Sequence, residues 1–379
     1  MKKFLLRMAE YNCMESSINK LSQMNASIPR LIIGNKIIGE GNPVFFIAEI
    51  GQNHQGDVNI AKKLIDAAKE SGADCVKLQK TDLNEKFTKQ ILDREYNSPN
   101  SWGRTYGEHK QYLEFSEDQF LELQQYAKCK DILFTASAMD LKSLDFLLNI
   151  DVPFVKIGSG DSNNIELIMK AAQSEVPIII STGMLTFESV KKLDLIFRKY
   201  NKNNYALLHC VSAYPTPLED VNLKVIELYR GCFPDIIIGY SGHELGIDVS
   251  IAATVMGAQI IERHITLDQK QKGSDHKCSL LPEEFRCMID KVKKIQIACG
   301  TPRKIFVKAE RECWDKLGKT IVAAKPMKAG DKIKKEDLRI KVADPKGIDG
   351  INFLDVVGAT LKIDKDIDES IMGNDIDMI

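Results

Sequence analysis

The sequence predicts an α/β protein built on a TIM (β/α)8 barrel and followed by a small C-terminal domain of short strands. Three observations carry that expectation. Eight strand-length apolar runs alternate with amphipathic segments from Val44 onward, polar residues gather at the end of nearly every run, and the pattern changes after Gly300. The strands are expected at 44–50, 75–79, 132–136, 154–158, 178–181, 205–210, 236–240 and 260–264. Parallel strands covered on both faces read as such continuous apolar runs.

The helices between them carry their own punctuation. Asp57 is placed to cap a helix that buries Ile60, Leu64, Ala67 and Ala68, and Gly72 to close it. Ser116 with Gln119 three residues later spells a capping box that opens a helix over 120–127. A last helix is expected over 283–298. The connection 80–114 is longer than one helix needs and carries Trp102, Tyr106 and His109, which points either to a cover over the site or to aromatic packing beneath a long loop. Residues 1–27 read as a poorly ordered extension, 28–300 as the barrel, 301–316 as a linker, and 317–379 as the second domain. Two strands are expected in that domain, at 319–324 and 328–332.

Composition narrows the function. The 379 residues carry 52 Lys+Arg against 53 Asp+Glu and are 44% hydrophobic, an ordinary globular makeup without the basic excess that nucleic-acid partners ask for. Apolar runs are strand-length, so no membrane span is expected. The start, Met1-Lys2-Lys3-Phe4-Leu5-Leu6-Arg7, lacks the apolar length of a secretory signal. Nine cysteines without a CxxC pair point to reduced thiols and a cytoplasmic location.

In a TIM barrel the chemistry sits at the C-terminal ends of the strands. There the sequence places Glu49, Lys77, Gln79, Ser137, Lys156, Ser159, Asp161, Ser181, Thr182, His209, Ser212, Tyr214, Tyr240, Ser241, His243, Glu262 and His264. His243 and His264 suit one divalent metal with water and substrate completing its shell, or two hydrogen-bonded structural imidazoles. HExxH and the Pro-Cys-x-x-Cys element are absent, which removes two hydrolytic zinc classes. Lys77 and Lys156 among serine hydroxyls suit a phosphate or carboxylate; the alternative is lysines that snorkel to solvent. Gly158-Ser159-Gly160 is a weak phosphate cradle without the full GxGxxG. Glu49 is either an acid–base group or a salt-bridge partner of one lysine. His209 and Glu262 read as structural.

The runs Phe46-Ile47-Ala48-Glu49-Ile50-Gly51-Gln52-Asn53-His54-Gln55-Gly56, Lys156-Ile157-Gly158-Ser159-Gly160-Asp161, Ser181-Thr182-Gly183-Met184, Tyr214-Pro215-Thr216-Pro217, Gly239-Tyr240-Ser241-Gly242-His243-Glu244, Glu262-Arg263-His264 and Gly273-Ser274-Asp275-His276 resemble, in order, the sialic acid synthases. The final domain is similar to the SAF, or antifreeze-like, domain of that family, and 101–110 resembles its animal branch. The resemblance implies condensation of phosphoenolpyruvate (PEP) with N-acetylmannosamine 6-phosphate, with the unphosphorylated sugar as the alternative substrate. It also implies His243 and His264 as ligands of a divalent metal ion, Mn2+ or Mg2+, with Zn2+ or Co2+ as alternatives. Lys77, Lys156, Ser159, Ser181, Ser212 and Ser241 are implied around PEP, with Glu49, Gln79, Tyr214, Asp161 and Asp275 around the sugar and the reacting carbons. A homodimer is implied, with the SAF domain acting in trans; the arginine that some bacterial members supply from that domain has no counterpart here beyond Lys316 or Lys319. A Schiff-base lyase using Lys77 or Lys156, and a carbohydrate-binding protein without turnover, are the rival classes.

Overall fold

A computed structural model describes residues 29–200 and 202–377; the N-terminal extension 1–27 lies outside them. The chain divides into two compact units, one ending at Gly300 and the other running from Thr301.

In the first unit, an antiparallel hairpin of β1 (Arg30–Ile33) and β2 (Lys36–Gly39) precedes eight strands: β3 (Phe45–Glu49), β4 (Cys75–Lys80), β5 (Leu133–Ala138), β6 (Val155–Ile157), β7 (Ile178–Ser181), β8 (Tyr205–Cys210), β9 (Ile237–Gly242) and β10 (Ile260–His264). These eight close into a barrel in chain order, β10 pairing with β3, with every pair parallel. All eight expected strands are present, three with the expected ends. Among the described residues no helix is long and apolar enough to cross a membrane.

The local signals work as read. Asp57 accepts from the backbone of Asn59 and Ile60, and Gly72 closes helix Val58–Ser71 at φ 90°. Ser116 and Gln119 form both halves of the capping box of helix Glu117–Cys129. Outward-facing strand residues such as Phe46, Val76, Ile157 and Ile238 pack against the helices in one large apolar layer.

The hairpin is the element the sequence reading missed. Leu31, Ile33 and Ile38 join Phe45, Ile47, Phe154, Ile179, Leu208, Ile237 and Ile260 in a separate apolar cluster. Those strand residues are the inward positions at the N-terminal end of the barrel, so β1 and β2 stopper its lower end. Further up, the inward positions turn polar: Glu49, Lys77, Gln79, Thr135, Ser137, Lys156, Ser181, Ser241, Glu262 and His264.

The second unit has its own core of Ile321, Met327, Ile333, Leu338, Val356, Leu361 and Ile371. Strand β11 (Thr320–Ala323) pairs antiparallel with β12 (Leu338–Lys341), and β13 (Thr360–Leu361) with β14 (Ile376–Asp377). The strand expected at 328–332 is a turn instead. Gly330 sits at φ 91°, and Asp331 and Asp364 accept from the backbone of Lys328 and Ala329, which leaves only an isolated bridge from Lys332 to Thr360. The segment 301–316, read as a linker, contains most of a helix, Arg311–Leu317. All eight cysteines among the described residues are free thiols.

Candidate active site

Alternation along the strands decides which polar residues meet. Glu49, Lys77 and His264 are register neighbours across β3, β4 and β10, and Ser241 lies beside Glu262 and Cys210. Their side chains therefore converge inside the barrel.

Two buried lysines and two buried glutamates form the floor. Lys77 Nζ lies 2.5 Å from Glu49 Oε2 and 3.6 Å from Glu262 Oε1, and donates to Ser137 Oγ at 3.0 Å. Lys156 Nζ is also 3.6 Å from Glu262 Oε1 and donates to Ser181 Oγ at 2.7 Å. Gln79 Nε2 donates to Glu49 Oε1 at 3.1 Å, and Ser241 Oγ to Glu262 Oε1 at 3.2 Å. Lys77 and Lys156 are 2% and 1% exposed, so neither snorkels.

The two ammonium groups differ. Burial disfavours the charge on Lys77, but Glu262 and Glu49 outweigh it and hold the amine above its usual value. Burial pushes Lys156 down, since it has one carboxylate neighbour and feels the charge of Lys77. Burial also works against ionised Glu262, yet the two lysines hold its carboxyl below the ordinary range. Glu262, read as structural, is thus the keystone of the floor. Glu49 stands in an ion pair, the second of its two sequence readings.

Above the floor, the imidazole centroids of His243 and His264 are 5.3 Å apart. Burial, with His264 beside it, lowers His243 to about 3, so its ring is neutral. Nδ1 of His243 donates to the Val211 carbonyl at 3.0 Å, which leaves Nε2 with its lone pair. Nδ1 of His264 is buried without a hydrogen-bond partner, 3.8 Å from Asp275 Oδ2. Among the described residues no cluster of three or more His, Cys, Asp or Glu side chains is arranged to hold a metal. Gly51, at φ 55°, belongs to this corner: a Cβ there would press on Asp275, His264 and Glu49.

The other expected residues fall around this centre. Ser159 Oγ accepts from the Gly183 backbone at 3.0 Å, and a Cβ at Gly183 would collide with the hydroxyls of both Ser159 and Ser212. Ser212 Oγ is buried without a partner. The Tyr214 ring packs 4.1 Å from that of His243 and is half exposed, at the mouth. Burial holds the Asp161 carboxyl above its usual value despite its ion pair with Lys86 at 2.9 Å. Asp275, although half-buried, is held below the usual range by His264 and by the Ser274 hydroxyl.

Two strand-end residues point the other way. His209 Nε2 meets the Val221 carbonyl at 2.6 Å in the outer layer, and Tyr240 donates to Glu244 Oε2 at 2.7 Å. Glu244 is itself held by the fully buried Arg263, whose Nη1 reaches Glu244 Oε1 at 2.6 Å and Ser250 Oγ at 2.9 Å. This pair ties β10 to the loop after β9, and so fixes His243 against His264. Sequence reasoning gave neither residue a role, although both sit inside the motifs that carry the histidines.

A TIM barrel whose C-terminal end gathers buried lysines, hydroxyls and a histidine pair has the layout of an enzyme of the (β/α)8 class, whose active sites lie at the strand ends. The chain belongs to the NeuB family, which it matches over residues 64–304, and it matches the SAF domain over 318–377. It is 47% identical over 368 residues to an N-acetylneuraminate-9-phosphate synthase of Drosophila melanogaster, covering 91% of this chain and 98% of that one. It is 46% identical over 340 residues to the Homo sapiens protein of the same name, covering 90% and 94%. A solved structure of N-acetylneuraminic acid (sialic acid) synthetase from Leptospira borgpetersenii serovar Hardjo-bovis, in complex with citrate, superposes with a TM-score of 0.66 at 33% identity, covering 76% of this chain and 96% of that one.

Proposed function

We propose that the chain condenses PEP with N-acetylmannosamine 6-phosphate to give N-acetylneuraminate 9-phosphate and inorganic phosphate. The observation that carries this reading is the buried floor of Lys77, Lys156 and hydroxyls, an anion site inside a chain 46% and 47% identical to two synthases named for that product.

Lys77 and Lys156, with Ser159, Ser181, Ser212 and Ser241, bind the carboxylate and phosphate of PEP and present its C3 to the mouth. Gln79, Asp161, Tyr214 and Asp275 line the way for the open-chain sugar. His243 and His264 fit a divalent cation, because one offers a free Nε2 and the other a buried nitrogen without a partner. That ion, Mn2+ or Mg2+ with Zn2+ or Co2+ as alternatives, supplies Lewis-acid polarisation of the aldehyde oxygen when bound. The π electrons of PEP form the bond from C3 to the sugar's C1 while the aldehyde C=O π pair moves to its oxygen, which takes up a proton and becomes the product hydroxyl. Glu49, held by Gln79 and Lys77, takes the proton from the water that adds to C2. As the C2–O bond breaks, the C2 hydroxyl gives up its proton to the departing phosphate and becomes the ketone; Lys77 and Lys156 neutralise that phosphate, so the bridging oxygen leaves with phosphorus.

The test is phosphate release from PEP with N-acetylmannosamine 6-phosphate or with the free sugar as acceptor. Faster turnover of the phosphorylated sugar is expected, with loss of activity on chelation and recovery on adding Mn2+. Turnover of the free sugar alone would overturn the substrate assignment, and borohydride-trapped imine would overturn the mechanism.

The reading extends to a cytosolic homodimer in which the small domain completes the partner's site. Its support is the free thiols and the apolar surface of the small unit, where Ile351 and Leu354 are 85% and 73% exposed. Mixing a His264→Ala chain with one truncated before Thr301 is expected to restore part of the activity that each lacks. A truncated monomer with full activity would overturn the arrangement.

A further inference from the structure

Lys110 lies near enough to Asp275 for their charges to interact, Lys272 precedes Asp275 by three residues, and Arg94 shares their aromatic layer. Lys110, on helix Tyr106–Leu113, donates to Gln52 Oε1 at 3.3 Å and lies 5.5 Å from the Tyr106 ring. Lys272, in the loop after β10, lies 4.9 Å over the Trp102 ring, and Arg94 stands 5.8 Å over Tyr106. The rings form one packed layer: Trp102 stacks on His109 at 5.7 Å, and Tyr96 meets His109 at 4.8 Å and Tyr106 at 5.3 Å. The long connection 80–114 is therefore an aromatic platform with cations on it.

None of the three cations has a carboxylate within 4.0 Å among the described residues, whereas their neighbours do. Lys80 pairs with Glu114 at 2.6 Å, Lys86 with Asp161 at 2.9 Å, and Lys142 with Asp82 at 3.2 Å. Lys110 is also half-buried, and burial pushes its ammonium below the usual lysine value, with Asp275 opposing. A partly desolvated cation without a counter-ion is costly, and an anion arriving with the substrate offsets that cost. The position fits such an arrival. Gln52 directly follows Gly51, where an added Cβ would press on Asp275, His264 and Glu49, so the Lys110 ammonium is held one residue along the chain from that corner.

We propose that Lys110, assisted by Lys272, forms the subsite for the terminal phosphate monoester of the sugar and sets the preference for a phosphorylated substrate. This rests on the amino-sugar phosphate reading above. The enclosed crevice between Gln52, Tyr96, Trp102, His109 and Asp275 holds about 10 Å³, room for one water, so the phosphate sits at the open rim. The rings keep the lysine stems in place and shed water on one side.

The experiment compares kcat/KM for N-acetylmannosamine 6-phosphate and for N-acetylmannosamine in the full chain and in Lys110→Gln, Lys110→Arg and Lys272→Gln. In Lys110→Gln the ratio of phosphorylated to free sugar is expected to fall about 10- to 100-fold, the range of one charge-assisted hydrogen bond, chiefly through KM for the sugar phosphate. Lys110→Arg keeps most of the ratio, and Lys272→Gln loses less of it. A merely structural lysine would lower both sugars alike, and an unchanged ratio in Lys110→Gln overturns the assignment. A native chain that takes both sugars equally overturns the parent reading instead, a result visible without any variant.

Discussion

The two ends of the barrel interior are built from the same eight strands and have opposite chemistry. At the lower end the inward residues are Phe45, Ile47, Phe154, Ile179, Leu208 and Ile260, closed by Leu31, Ile33 and Ile38 of the hairpin. Two residues further along the same strands stand Glu49, Lys156, Ser181, Cys210 and Glu262. Within one strand the step from Ile47 to Glu49, or from Ile260 to Glu262, crosses from packing to chemistry. The lower half supplies free energy by excluding water. The upper half spends part of it by holding two cations and two anions out of solvent.

The sharpest way to break this contrast is to exchange one residue at each end. Lys156→Ala removes an anion contact at the floor and is expected to cut kcat/KM about 100- to 1,000-fold, as loss of a preorganised charged donor does. Leu31→Ala, at the stopper, is expected to leave kcat/KM of the folded chain within about twofold. Steady-state kinetics on both variants checks this, and equal losses would mean the two ends are not functionally distinct.

Stability should report the opposite order at the lower end. Leu31 is 1% exposed inside the cluster, so Leu31→Ala is expected to destabilise the barrel by about 2–4 kcal/mol in denaturant unfolding. An unchanged midpoint would show that the hairpin is an ornament on a barrel already closed below.

The smallest effect belongs to the rim. Asp82 accepts from the backbone of Glu85 and Asn84 and pairs with Lys142, and these hold its carboxyl below the usual 3.8. A depressed carboxyl stabilises the fold above its unfolded value and loses that contribution as pH falls through its folded value. Asp82→Asn is therefore expected to cost a few tenths of a kcal/mol near pH 7, small because solvent screens the pair, and to cost less in acid once the carboxyl is protonated in the folded and unfolded chain alike. A loss of equal size at both pH values would assign the effect to something other than charge.

The strands were legible because buried parallel strands leave apolar runs such as Ile178, Ile179 and Ile180. The hairpin was not, since each arm has four residues and its outer face, Ile32 and Ile37, is 62% and 48% exposed. Gly34-Asn35 between Ile33 and Lys36 is the two-residue turn that signals it. Site residues were legible one at a time from their places at strand ends. Partnerships were not: Glu262 gained its role only when register set it beside Ser241, and its carboxylate reached both lysines. His209 and Glu262 looked alike in sequence, and inward against outward facing separates them.

The stopper at the lower end has a kinetic consequence. A barrel unit sealed below has a single doorway, and Lys77 and Lys156 lie at the bottom of that corridor, with Tyr214 at its threshold. Under the proposed chemistry PEP enters ahead of the sugar, and the phosphate, formed deepest, leaves behind the sugar product. The traffic is first in, last out. Phosphate should then inhibit competitively against PEP, because both compete for the empty floor at the end of the same corridor.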